Sequence, residues 1–278
     1  MSFLKNGLTS TVSKMHHQTL INGQKQKINC NISKKNGHPN KSTRKAISWF
    51  AFKGQKGMKL LAFDTSSHAC SVALLNTEGS PQIISQHLIA PMQHAKLILS
   101  MIEEVLSSAS LTRHQLDAIA FGQGPGSFTG TRIASSVAQG LGLGLALPVI
   151  GVSSLAALAQ AALLEKNWPN SLVAVDARMG QLYWAAYQAR SDGIVELIGE
   201  ERLCAPHAIN KPLAADWYGI GDAWKNEGAT LIAALGFAPV ATDSNLCPSA
   251  EAVAMLAKKK YERGEWGSLS SAVPTYLR

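Results

Sequence analysis

The sequence predicts a mixed α/β fold with two similar lobes, and three observations lead to this prediction. Apolar runs of strand length alternate with longer helix-like segments after residue 57. The pattern of Leu60–Asp64 recurs 112 residues later in Leu172–Asp176, with alanine aligned on alanine and aspartate on aspartate. A glycine-containing turn follows in both halves, at 121–124 and at 218–222. This repeated order of strand, aspartate and glycine turn indicates a duplicated unit.

Composition narrows the class of protein. With 278 residues, of which 46% are hydrophobic, the chain can bury a sizeable core, which excludes wholesale disorder and a disulfide-stapled miniprotein. The four cysteines lie far apart and form no CxxC pair. Their spacing therefore predicts neither a zinc site nor a redox motif, and it suits a reducing compartment.

Charge is distributed very unevenly along the chain. Residues 1–57 contain eleven lysines or arginines and no acidic residue. The remaining residues contain fifteen basic and eighteen acidic side chains, a net charge of −3. The isoelectric point near 9.4 thus reflects the first fifth of the chain, and a nucleic-acid argument from overall charge would rest on that segment alone.

We interpret residues 1–57 as a disordered basic tail or a mis-assigned start, because they show no sustained periodicity and Met58 directly opens a strand. They contain no apolar core of a secretory signal. A transit peptide is a poor match with one arginine among ten lysines, and contact with RNA phosphates is a further alternative. We expect this tail to be dispensable for folding and for partner binding.

The first predicted lobe, residues 58–168, begins with strands. The run from Met58 to Asp64 is apolar and ends in a carboxylate, as is typical of a buried central strand. Strand candidates follow at 70–75 and 82–89. Pro91 suits the first turn of a helix. The apolar positions of that helix follow i, i+3, i+4 spacing: Ile98, Met101, Ile102, Val105, Leu106 and Ala109.

A buried strand is predicted at 117–121, and a helix is predicted from about 131 to 147. Several faces of this helix carry only small side chains, because it contains many alanine, serine and glycine residues. Glycine costs roughly 1 kcal/mol in a helix interior, so close approach of another helix is one reason for their number. Whether that helix would be internal or belong to a partner stays open at this point.

A strand at 149–152 leads to a helix that Ser153 or Ser154 can cap and that continues through residue 164. Residues 133–164 carry no charge, but Pro148 divides them and no apolar run reaches about 18 residues. We therefore expect buried elements and no membrane span. The second predicted lobe covers residues 169–278.

The loop before the second helix has four glycines and a serine: Gly122, Gly124, Gly126, Gly130 and Ser127. Backbone N–H groups at a helix N-terminus can hold a phosphate or carboxylate. The loop is not a Walker motif, because no lysine follows the last glycine. The alternative is a tight strand-to-helix turn whose glycines allow close packing, and the sequence does not decide between them.

Two aspartates, Asp64 and Asp176, end the duplicated strands, where metal–nucleotide sites of α/β proteins collect. Such carboxylates could hold Mg²⁺ through water. The alternative, given equal weight, is that each aspartate caps its own turn. The histidines form no HxxxH or HExxH pair and no serine lies in a GxSxG elbow, so the sequence supports neither a histidine-ligated metal centre nor a hydrolytic triad.

Five blocks in order resemble one family. They are MKLLAFDTS at 58–66, GQGPGSFTGTRI at 122–133, GVSSL at 151–155, DAR at 176–178 with Tyr183, and PTYLR at 274–278. On these blocks the chain resembles the TsaB (YeaZ) family of bacterial tRNA threonylcarbamoyladenosine biosynthesis. The resemblance covers Met58 to the last residue and leaves the tail uncovered.

This resemblance implies two RNase H-like lobes of the actin-like, sugar-kinase-like (ASKHA) fold. It implies a non-catalytic scaffold subunit in the cytoplasm that pairs with the paralogue TsaD, which transfers the threonylcarbamoyl group to N6 of the adenosine beside the anticodon. TsaE, an ATPase, joins the assembly, and tRNA is contacted through the complex. The paralogue's metal-binding HxxxH pair is absent here, where Gln93 and His94 occupy the corresponding stretch.

We accordingly expect no catalytic residue, no metal ligand and no cofactor required by this chain, with ATP and Mg²⁺ acting in the assembled complex. A vestigial nucleotide or phosphate site would contain Asp64, Thr65, Gly124, Gly126, Ser127 and Asp176. The family's interface of first-lobe helices would contain Ile98, Met101, Ile102, Ala134, Ala138 and Gly142. Pairing of the chain with itself in the absence of its partner is left open. The alternative function is a free-standing ASKHA-type ATPase or phosphotransferase, whereas a metallopeptidase would lack both its ligands and its base.

Overall fold

The structure is a computed structural model that describes residues 57–213 and 216–277. The predicted tail lies outside the described residues except for Gly57. The first sheet contains β1 (Lys59–Asp64), β2 (Ala69–Asn76), β3 (Gln82–Ile89), β4 (Ala118–Gly124) and β5 (Val149–Ser153). Its order is β3-β2-β1-β4-β5, with β1, β2 and β3 antiparallel and β1, β4 and β5 parallel.

The second sheet repeats this arrangement strand for strand. It contains β6 (Asn170–Arg178), β7 (Gln181–Ala189), β8 (Val195–Cys204), β9 (Tyr218–Ile220) and β10 (Thr242–Asp243). Its order is β8-β7-β6-β9-β10, again with three antiparallel strands followed by two parallel ones. The predicted duplication into two RNase H-like lobes is confirmed, since β1 corresponds to β6 and β4 to β9.

Five α-helices accompany the sheets in the part of the chain that the structure describes. They are α1 (His94–Ser108), α2 (Phe128–Leu145), α3 (Ser154–Lys166), α4 (Ala223–Leu235) and α5 (Ala250–Glu262). None of these helices is long and apolar enough to cross a membrane.

Two helix starts differ from the sequence prediction. The prediction that Pro91 lies in the first turn of α1 is wrong, because Pro91 belongs to a turn in which Met92 has a positive φ of 61°. Helix α2 begins three residues earlier than predicted, because the Ser127 side chain accepts a hydrogen bond from the Gly130 N–H and caps it there. Of the two candidate caps of α3, Ser153 is the one that accepts backbone hydrogen bonds, from Leu155 and Ala156.

The two faces of β1 pack against different helices. Leu61 and Phe63 share an apolar core with α1 and α2, whereas Leu60 and Ala62 share one with α3 and α5. Helix α5 lies against the first sheet although it comes from the second half of the chain, and α3 from the first half contacts the second sheet. The division at residues 168 and 169 stays a prediction, because each half contributes a helix that packs on the sheet of the other half.

Candidate functional site

The glycine-rich loop between β4 and α2 packs tightly against the turn that follows β1. A Cβ atom at Gly130 would lie 1.8 Å from the Thr65 carbonyl oxygen, and one at Gly126 would lie 2.5 Å from the Ser66 carbonyl oxygen. Thr65 also donates its hydroxyl to the Gly130 carbonyl oxygen at 2.7 Å. These glycines are therefore required by the approach of two backbone segments, which is the packing interpretation of the loop.

Several backbone donors of this loop are already used inside the chain. The Gly124 N–H donates to Ser154 Oγ at 3.1 Å, and the Ser127 N–H donates to the Ser66 carbonyl oxygen at 2.7 Å. The Gly130 N–H donates to Ser127 Oγ at 3.2 Å. A phosphate at this helix N-terminus would compete with these three hydrogen bonds, so the loop geometry favours packing over anion binding.

Asp64 is completely buried, and its two carboxylate oxygens have different surroundings. Oδ1 accepts hydrogen bonds from the Ser66 N–H and hydroxyl, both at 2.8 Å, so Asp64 caps its own turn. Oδ2 has no hydrogen-bond partner and lies against Gly122, where a Cβ atom would be only 1.7 Å away. Burial raises the pKa of Asp64 from 3.8 to about 6, although the hydrogen bonds from Ser66 and the nearby Ser154 side chain oppose this shift.

The raised pKa predicts that Asp64 makes stability depend on pH. The folded chain holds this proton more tightly than the unfolded chain, so the free energy of unfolding should fall as pH rises from about 4 to about 6. Asparagine has no proton to lose, so the free energy of unfolding of Asp64→Asn should not show this fall. Between pH 4 and pH 6 its free energy of unfolding should therefore rise by about 3 kcal/mol relative to that of the wild type, the equivalent of a shift of about two pKa units. Urea unfolding of both proteins at pH 4 and pH 7 measures this difference. Parallel changes in the two proteins would contradict the assignment.

Asp176, the counterpart of Asp64 in the second lobe, lies in a different environment. Its side chain is 39% exposed and pairs with the Arg178 guanidinium at 3.0 Å. Its Oδ1 accepts a hydrogen bond from the Arg178 N–H at 2.7 Å, so it too caps its own turn. The shared property of the two aspartates is this local hydrogen bond to the backbone two residues later.

The donor set around these aspartates does not fit a magnesium–nucleotide site. Oδ1 of Asp64 accepts two hydrogen bonds from Ser66, and Oδ2 is enclosed against Gly122. Asp176 already forms an ion pair with Arg178. Among the described residues, no group of three or more histidine, cysteine, aspartate or glutamate side chains is placed to hold a metal ion.

Sequence analysis did not identify the contact between His68 and Cys247, which are far apart in the chain. The Cys247 sulfur lies 3.2 Å from His68 Nε2. Burial raises the pKa of the Cys247 thiol to about 11, so a neutral thiol faces the imidazole at neutral pH. This pair therefore lacks the thiolate that a cysteine nucleophile needs.

The α2 residues that the resemblance assigned to the partner interface do not lie on the accessible surface. Ala134, Ala138 and Gly142 are buried, and a Cβ atom at Gly142 would lie 2.4 Å from Val149 Cγ2. On α1 the three predicted interface residues Ile98, Met101 and Ile102 are likewise buried. All six residues belong to or border the core between these helices and the first sheet, because the small residues let α2 approach the sheet closely.

The accessible surface of α1 and α2 consists of other residues. It is apolar at the exposed Leu99 and at Ile133, Val137 and Leu141, which are half-buried. Two shallow cavities lie along it, with volumes of about 350 Å³ and 740 Å³. We call this surface the α1–α2 groove.

Two glycines of the α1–α2 groove have no internal packing role. A Cβ atom at Gly140 or at Gly144 would meet no atom within 4 Å. Both positions are exposed and lie inside a helix, where glycine is unfavourable relative to alanine by roughly 1 kcal/mol. The many small residues of α2 therefore fall into two groups. Ala134, Ala138 and Gly142 are buried against the first sheet, whereas Gly140 and Gly144 are exposed.

The matching family model and several curated relatives of this chain are named for the threonylcarbamoyl modification of tRNA adenosine. Residues 83–256 match the family model described as TsaD, tRNA N6-adenosine threonylcarbamoyltransferase. The tRNA threonylcarbamoyladenosine biosynthesis protein TsaB of Escherichia coli K12 is 36% identical over 232 residues, which are 80% of this chain and 95% of that protein. The TsaB protein of Haemophilus influenzae is 42% identical over 61% of this chain and 74% of its own length.

A solved structure, YeaZ from Pseudomonas aeruginosa, has the same fold. It is 41% identical to this chain, with a TM-score of 0.73, and the match covers 79% of this chain and all of that protein.

Proposed function

Since the chain belongs to the TsaB family, we propose that it takes part in the biosynthesis of threonylcarbamoyladenosine in tRNA, as a non-catalytic subunit paired with a TsaD-type transferase. The observation that carries this proposal is the match to 95% of the length of the E. coli TsaB protein. TsaE and tRNA join through the complex, in the cytoplasm. On this proposal the chain needs no cofactor of its own, and ATP and Mg²⁺ act in the assembly.

The geometry of the glycine-rich loop supports a non-catalytic role for this chain. Three of its backbone donors are used inside the chain, and the Asp64 carboxylate is enclosed. A phosphotransferase of this fold needs an accessible phosphate loop and carboxylates that are open to a cation.

The α1–α2 groove supports docking of a protein partner. It combines apolar side chains with exposed glycines, so that a helix of the partner can approach the α2 backbone closely. A stable interface here would bury at least about 1,200 Å² in total. The match of this chain to the TsaD family model implies that such a partner shares its fold and can offer corresponding helices.

We expect the isolated chain to hydrolyse ATP no faster than a protein-free control, because its loop and aspartates lack the arrangement that phosphoryl transfer requires. The measurement is phosphate release with ATP and Mg²⁺, compared between the wild type and Asp64→Asn. Hydrolysis that depends on Mg²⁺ and disappears in Asp64→Asn would favour the alternative ATPase or phosphotransferase function instead.

A further inference from the structure

An exposed cluster of two aromatic rings and one arginine lies at one end of the α1–α2 groove. The Phe128 side chain at the start of α2 is 64% exposed, and Tyr276 near the end of the chain is 49% exposed. The two ring centroids are 6.5 Å apart. The Arg132 guanidinium carbon lies 3.3 Å from the Phe128 centroid and 5.7 Å from the Tyr276 centroid. We call these three residues the aromatic–arginine cluster.

Several hydrogen bonds hold the backbone that immediately precedes Tyr276. The Thr275 N–H donates to the Gln123 carbonyl oxygen at 2.8 Å, and Gln123 Nε2 donates to the Val273 carbonyl oxygen at 2.8 Å. Gln139 Nε2 on α2 donates to the Ala272 carbonyl oxygen at 2.9 Å. The backbone leading to Tyr276 is thus attached to β4 and to α2, the helix that forms one side of the groove.

The Arg132 side chain is exposed and has no ion-pair partner within the described part of the chain. None of the ion pairs there includes Arg132, and its contacts are the two aromatic rings. A guanidinium stacked on a ring keeps its N–H donors free at the edge. This arrangement suits an incoming carboxylate and an apolar side chain that covers the exposed rings.

We propose that the aromatic–arginine cluster is an energetic centre of the interface with the TsaD-type partner, whose contacting surface there presents a carboxylate beside an apolar side chain. This inference rests on the proposed function. Continuity supports it, because Phe128 and Arg132 line the 350 Å³ cavity together with Leu99, Ile133 and Val137 of the groove. Tyrosine and arginine are enriched among interface residues that contribute most to binding, and desolvation strengthens the cation–π contact.

The chemistry of the cluster favours a protein partner over nucleic acid. Residues 58–278, which contain the cluster, carry a net charge of −3, so the composition of this segment gives no indication of phosphate binding.

The test is isothermal titration of the full chain with the TsaD protein encoded by the same genome. Tyr276→Ala and Arg132→Glu should each weaken binding at least about tenfold, and Arg132→Lys should weaken it less, because lysine keeps the charge but not the planar stacking. Matched controls on α4 are Ile232→Ala and Lys225→Glu, which alter exposed residues and should bind within about twofold of the wild type. Unchanged thermal midpoints would verify that every variant folds.

The outcomes separate this inference from the proposed function. If Gly140→Trp in the groove abolishes binding while both cluster variants bind like the wild type, the cluster inference is overturned and the proposed function stands. If the wild-type chain does not bind TsaD at all, both are overturned. The inference would also be overturned if the cluster variants bound TsaD normally and lost only the ability to associate with a second copy of this chain. That result would assign the cluster to contacts between two copies.

Discussion

Gly140→Trp is expected to abolish binding of the TsaD-type partner and to leave the isolated chain folded. Gly140 lies on the exposed side of α2 inside the α1–α2 groove, with space around its Cα. An indole ring there would occupy the volume that a partner helix needs, so affinity should fall at least about a hundredfold. The measurement is isothermal titration with purified TsaD.

The matched control is Gly228→Trp on α4. Gly228 is also a glycine inside a helix, and a Cβ atom there would meet nothing within 4 Å. The control should fold and bind like the wild type. Normal binding by Gly140→Trp would place the partner elsewhere. Ala138→Trp cannot serve this purpose, because Ala138 is fully buried and a large side chain there should disrupt the core.

Gly130→Ala should destabilise the fold by about 3 kcal/mol, the upper end of the usual cost of adding a methyl group to a closely packed site. The new Cβ atom would lie 1.8 Å from the Thr65 carbonyl oxygen, which is backbone and cannot rotate away. Separating the two segments would weaken the hydrogen bonds from Thr65 to Gly130 and from Ser127 to Ser66. The free energy of unfolding in urea measures the effect.

Gly140→Ala is the control for this effect, because it makes the same substitution in the same helix at an open position. Alanine is favoured over glycine inside a helix, so Gly140→Ala should stabilise the chain by about 0.5–1 kcal/mol. If Gly130→Ala lowers the free energy of unfolding and Gly140→Ala raises it, close packing, and not helix propensity, is the reason for glycine at position 130. A loss of similar size in both would contradict this explanation.

Local patterns in the sequence predicted much of the fold. The strand at Leu60–Asp64 and its repeat at Leu172–Asp176 could be recognised because buried strands are continuous apolar runs, and the observed sheets have the same strand order. The two aspartates cap their own turns, which was one of the two alternatives that the sequence allowed.

The orientation of α2 could not be predicted, because alanine, serine and glycine occur on all of its sides and define no apolar stripe. Ala134 and Ala138, which the resemblance assigned to the partner interface, are buried in the core of the first sheet, whereas Ile133 and Val137 are half-buried. A helix can pack against a sheet through small residues at a short distance or through large residues at a longer distance. The sequence does not give that distance, so it does not show which side of α2 is buried.

Contacts between distant parts of the chain also left no local pattern. The amide of Gln123 holds the segment around Val273, which is 150 residues away. The aromatic–arginine cluster depends on this contact, since Phe128 and Arg132 are close in sequence but Tyr276 is not. The PTYLR block marked this segment as part of the family resemblance, yet its partner in the fold became visible only in the structure.

We propose that this chain supports tRNA modification by binding a TsaD-type transferase and performs no chemistry itself. The most direct measurement is the amount of threonylcarbamoyladenosine formed on tRNA by purified TsaD and TsaE with the threonylcarbamoyl-adenylate donor, in the presence and absence of this chain. Modification is expected only when the chain is present, with Asp64→Asn supporting it like the wild type and Gly140→Trp failing to support it. Equal modification without the chain, or modification by the chain alone, would contradict the claim.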